Sequence, residues 1–116
     1  MGDGINKALL IVSQILNLQN GILMIDEIEN GFYYELYDKL LTVFCETAVE
    51  NNCQIIATTH NSSIIETFVN VMESLGKLDN LCYQRIDTSA KTGERIAKKL
   101  SGSSLKDAVK ANMEVR

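Results

Sequence analysis

Two short stretches hold residue types suited to chemistry. In "ILMIDEIEN", four apolar residues end in adjacent carboxylates, Asp26 and Glu27, with a third acid at Glu29. In "QIIATTHNSS", an apolar run ends in two threonines and His60, the only histidine. A buried strand ending in Asp presents hard oxygen to a hard cation such as Mg²⁺ from a rigid support. Side chains alternate along a strand, so Glu27 faces away from Asp26 and is free to polarise a water. A histidine at a neighbouring strand end suits contact with a phosphate oxygen or that water. Against this stand plainer readings: a solvated acidic pair, and a histidine that caps the next helix.

A third stretch, "MGDGINKALLI", sets Gly2, Asp3 and Gly4 at the start of a helix, where unpaired N–H groups favour an anion. The plainer reading is a helix cap made of Gly and Asp.

The elements that must position these residues follow from periodicity. Ile5, Leu9, Val12 and Leu16, widened by Leu10, Ile11 and Ile15, predict a helix over 5–18 buried round much of its circumference. Ile22–Ile25 is too short for a helix and predicts a strand buried on both faces, as in a parallel sheet. A helix over 34–50 follows, with Leu36, Leu40, Val43, Phe44 and Ala48 on one face, then a buried strand over 54–59. Ser63 to Glu66 matches a capping box and starts a helix to about Leu75. Strand, helix, strand, helix with short connections predicts an α/β fold of parallel strands joined by crossover helices, with ligands at the strands' carboxyl ends. Beyond Gly76, strands over 81–86 and 94–100 around "DTSAKTG" predict a β-hairpin, and a short helix from Ser104 to about Asn112 closes the chain.

Composition bounds the function. The 116 residues suit one domain or a piece of one, and 46% hydrophobic with 22% charged residues is ordinary for a folded soluble protein. The net charge of −4 gives no overall attraction to nucleic acid, leaving only a local patch to serve that purpose. No apolar run reaches the ~20 residues of a membrane span, and no signal-peptide pattern opens the chain. Cys45, Cys53 and Cys82 lack metal-ligand spacing and predict buried, reduced thiols in a cytoplasmic protein.

In order and spacing, "GDGINKALLI", "GILMIDEIENGFY" and "IIATTHNSSII" resemble the second half of an ATP-binding-cassette ATPase domain. The resemblance is to the overcoming-lysogenization-defect type, similar also to SMC-like ATPases, and related AAA-family ATPases of bacterial defence and DNA repair, and it extends to the hairpin, short helix and terminal "MEVR". It implies a partial P-loop NTPase fold and the cofactors ATP and Mg²⁺. Gly2, Asp3 and Gly4 match the signature motif that touches ATP on the opposite subunit. Asp26 matches the Walker B aspartate that holds Mg²⁺ through water, Glu27 the general base, and His60 the switch histidine that senses the γ-phosphate. Glu29 and Asn30 fall in a segment that lies at the dimer interface in relatives. A homodimer coupled to an effector acting on nucleic acid is the implied assembly.

One departure is large: the sequence has no G-x-x-x-x-G-K-[ST] phosphate loop. The resemblance therefore implies a chain that begins mid-domain and is completed by an N-terminal Walker A half. Without that loop ATP loses several charge-assisted hydrogen bonds of ~1.5–3 kcal/mol each, and each ~1.4 kcal/mol is tenfold in affinity. The chain by itself is expected to bind ATP poorly and hydrolyse it negligibly. Two other function classes stay open: a non-catalytic module that self-associates through exposed sheet edge and helix faces, and a Mg²⁺-dependent nuclease built on Asp26, Glu27 and Glu29.

Overall fold

The computed structural model describes residues 2–88 and 91–111. In chain order it comprises α1 (Gly2–Asn17), β1 (Ile22–Ile25), α2 (Tyr37–Glu50), β2 (Gln54–Ala57), α3 (Ser62–Ser74), β3 (Cys82–Thr88), β4 (Arg95–Ser101) and α4 (Gly102–Lys110), with single 3-10 turns at Tyr34–Leu36 and Leu78–Asn80. The architecture is mixed α/β. β1 and β2 form a two-stranded parallel sheet in the register Leu23 to Ile55 and Met24 to Ile56, with α2 as the connection. β3 and β4 form a separate antiparallel pair.

The main core lies on one face of the parallel sheet. Ile11 and Ile15 from α1, Leu23 from β1, Leu41, Phe44 and Ala48 from α2, and Ile64 and Met72 from α3 meet there in one apolar cluster. Phe44 and Ile15 are fully enclosed, and burying each stabilises the fold by about 1.5–3 kcal/mol. A second cluster joins Ile65 and Val69 of α3 to Leu105 and Ala108 of α4, with Leu78, Leu81, Tyr83 and Leu100 against it. At its margin Gly102 is pressed so close to the carbonyl of Leu78 that a Cβ would overlap it, which fixes where α4 can start.

Several expectations need correction. The strand over 22–25 is not buried on both faces: Leu23 is enclosed, but Met24 is 75% exposed and its register partner Ile56 is 45% exposed. All three packing helices contribute to the Leu23 side, so the opposite face has no cover among the described residues. The first helix is likewise buried along one stripe, because Ile5, Leu9, Leu10 and Leu16 point away from the core. On the second helix Phe44 and Ala48 are buried as the spacing suggests, but Leu36 is exposed and Leu40 only half-buried. Tyr37, Leu41, Phe44, Cys45 and Ala48 are its buried residues, while Val43 is exposed. Residues 34–36, expected in the helix, form a tighter 3-10 turn ahead of it.

Caps also differ. Asn61, not Ser63, caps α3, its side-chain oxygen accepting from the Ser63 N–H at 2.8 Å. Ser101, not Ser104, caps α4. The hairpin strands lie one or two residues beyond the expected bounds. The expected helix end at Asn112, the terminal "MEVR" and part of the hairpin turn lie outside the described residues. All three cysteines are free; Cys45 and Cys53 are buried as expected, but Cys82 is exposed at the start of β3.

Candidate functional site

The carboxyl ends of β1 and β2 lie side by side because the parallel pairing continues one step past both strands. The Thr58 N–H donates to the Ile25 carbonyl at 3.0 Å, and the Ile28 N–H donates to the Thr58 carbonyl at 3.1 Å. This places Asp26 and Glu27 directly against Thr58 and Thr59. The Thr58 hydroxyl donates to Asp26 Oδ1 at 2.5 Å and accepts from the Glu27 N–H at 2.8 Å. One hydroxyl therefore fixes the side chain of the first acid and the backbone of the second.

Glu27 itself adopts φ 48°, left-handed backbone that a non-glycine residue takes at a cost. The chain turns there instead of extending the strand, and the Asn30 N–H closes the turn on the Glu27 carbonyl at 3.0 Å. The Asn30 amide also donates to Glu27 Oε2 at 2.7 Å. Glu29 is drawn elsewhere, accepting from the Thr59 hydroxyl at 2.5 Å and the His60 N–H at 3.4 Å. The three acids thus have three separate sets of partners. Among the described residues no three His, Cys, Asp or Glu side chains converge as a metal-binding group, an arrangement the nuclease reading would require.

β2 ends at Ala57, two residues short of the expected bound, so His60 lies three residues past the strand, exposed and with its backbone N–H donating to Glu29. It does not cap α3, a role taken by Asn61. Gly2, Asp3 and Gly4 do not precede the first helix; they form its first turn. The side chain of Asp3 lies outside the described residues. Gly4 has a packing role, since a Cβ there would meet the Gly31 carbonyl at 2.8 Å. The first turn of α1 therefore rests directly on the loop that follows the acids.

Sequence reasoning missed Lys7. Its ammonium donates to the carbonyls of Asn30 at 2.5 Å, Ile28 at 3.2 Å and Glu27 at 3.4 Å, and sits 4.9 Å from the centre of the Phe32 ring. Burial pulls its pKa below the ordinary lysine range, opposed by the charges of Glu29 and Glu27. Thr58 and Thr59 were also missed as partners of the acids. Two hydroxyl residues at the end of a neighbouring parallel strand were the available signal.

A cation would find partial coordination here. Asp26 is exposed, and one of its oxygens is committed to Thr58. A single carboxylate beside a hydroxyl suits Mg²⁺, which keeps several waters and takes one or two carboxylates together with substrate phosphates.

The AAA ATPase domain family matches residues 1–65, which span all three motifs. An uncharacterized protein of Methanocaldococcus jannaschii, MJECL11, is 32% identical over 91 residues, covering 75% of this chain and 76% of that protein. No solved structure matches. The match takes in more than half of the sequence, and the chain belongs to the AAA ATPase domain family.

Proposed function

We propose that the ends of β1 and β2 form the Walker B and switch wall of an ATP site, working in ATP hydrolysis once a phosphate-binding wall is brought against it. The observation that carries this reading is the bridging hydroxyl of Thr58, which sets Asp26 and Glu27 in fixed and different directions. Bound Mg²⁺ would neutralise charge on the phosphates, held by Asp26 through water. Glu27 is the general base: Asn30 holds one of its oxygens, leaving the other to take a proton from the attacking water. His60, exposed at the neighbouring strand end, contacts the γ-phosphate. Gly2, Asp3 and Gly4 meet the ATP of an opposite subunit, and Gly4 couples that contact to the acidic loop through Gly31. A Walker A segment from outside this sequence supplies the phosphate loop, which makes the chain by itself a poor ATPase.

The test is to co-express a phosphate-loop segment with this chain and compare wild type with Glu27→Gln. Turnover should fall by at least ~10²-fold, the usual scale of a general base. Equal turnover in the two would remove Glu27 from that role.

A second reading, a self-associating module without catalysis, is favoured by the open sheet face. Met24 and Ile56 pair across the strands and both face outward. A monomer whose sedimentation does not change on dilution counts against it.

A further inference from the structure

Charge is divided along the chain. Residues 1–76 carry two basic side chains against ten acidic ones, whereas residues 77–116 carry nine against five. The fold gathers the described part of the second group into one body. The turn at Leu78–Asn80, the β3–β4 ribbon and α4 share the cluster around Leu105. The ribbon has two unlike faces. Tyr83 and Leu100, paired in register, lie against the apolar cluster. The other face pairs Gln84 with Lys99 and Ile86 with Ala97, and Arg95 lies on the same face, two residues before Ala97. Lys99 and Arg95 are exposed, Ile86 is 69% exposed, and no Asp or Glu occupies a position of that face.

We propose that this ribbon binds double-stranded nucleic acid, with Arg95 and Lys99 against the phosphates. A two-stranded antiparallel ribbon is narrow enough to enter the major groove of a duplex. Arg95 and Lys99, four residues apart on one strand, are separated by ~13 Å. That distance spans about four phosphates of one strand, at ~3.4 Å of axis each. The acidic remainder of the chain repels the same polyanion, so the duplex meets the protein ribbon-first. An acidic surface of a second copy would also attract the two cations. The ribbon's acid-free face and its narrow two-stranded build favour a groove of the duplex over a second copy.

The experiment is fluorescence anisotropy of a labelled duplex titrated with the full chain at low and moderate salt. Two phosphate contacts predict a fall in affinity of about tenfold between ~50 and ~200 mM salt. The double variant Arg95→Ala, Lys99→Ala should lose most of the binding and most of that salt dependence, with its circular dichroism unchanged. Exchanging the two cations, Arg95→Lys with Lys99→Arg, should retain binding even if the alanine variant folds poorly. Lys39→Ala, on α2, should bind as wild type. Equal losses in Lys39→Ala and the double variant, binding indifferent to salt, or no duplex binding would each overturn the proposal. A salt-sensitive dimer abolished by the double variant, in the absence of duplex binding, would assign the ribbon to a second copy instead.

Discussion

Lys7, on the second turn of α1, donates to the Asn30 carbonyl at 2.5 Å and so ties the helix to the loop that carries the acids. Its further bonds to Ile28 and Glu27 and its place over Phe32 make it the strap of that loop. Lys7→Met removes the donors while keeping most of the stem. The amides of Asn30 and Phe32, bonded to Glu27 and Glu29 carbonyls within the turn, should then exchange with deuterium faster. Amides of α2 should be unaffected, and Lys7→Arg should restore part of the protection.

Gly4→Ala should reverse an ordinary trend. Ala in place of Gly inside a helix normally stabilises by up to ~1 kcal/mol. Here the new methyl meets a backbone oxygen at 2.8 Å, and overpacking of that kind costs ~1–3 kcal/mol. Urea denaturation should show a net loss of stability.

Thr58→Val keeps the shape of the side chain and removes the hydroxyl that bonds both Asp26 and the Glu27 amide. Because the position is exposed, water replaces part of what is lost. A destabilisation of about 1 kcal/mol in urea is expected.

The thiols should separate by reactivity. Burial pushes Cys45 up to about 12 from an ordinary 9.0, and Cys53 is also enclosed, whereas Cys82 is exposed. A native chain at neutral pH should show one fast-reacting thiol with a disulfide reagent, and three after denaturation. The sign of the pH effect follows from the raised Cys45 value. Its contribution to stability is complete below about 9 and is lost as pH climbs from there toward about 12.

Mg-ATP should bind this chain weakly, because the phosphate loop that supplies most of the charge-assisted hydrogen bonds is not in the sequence. Isothermal titration is expected to show no micromolar association. A micromolar constant would mean that the strand ends and α1 suffice by themselves.

The strand over 22–25 and the order of elements were legible because a short apolar run between turn signals leaves few alternatives. The adjacency of the two strands that precede Asp26 and His60 was legible because a single crossover helix joins them. Lys7 was not, since a lysine on a helix ordinarily reads as solvated surface. Only the close approach of Gly4 to Gly31 brings its ammonium over the loop carbonyls. The open face of Met24 and Ile56 also escaped, because an apolar sequence records a preference for burial without recording what covers it.

The left-handed backbone at Glu27 bears on how such a sequence ages. Glycine would hold that turn with less strain, though it removes the carboxylate. In the role proposed above for Glu27, selection for turnover and selection for stability pull this position in opposite directions. A lineage released from the need for hydrolysis is expected to drift toward Gly, or toward Asn, which tolerates the same φ.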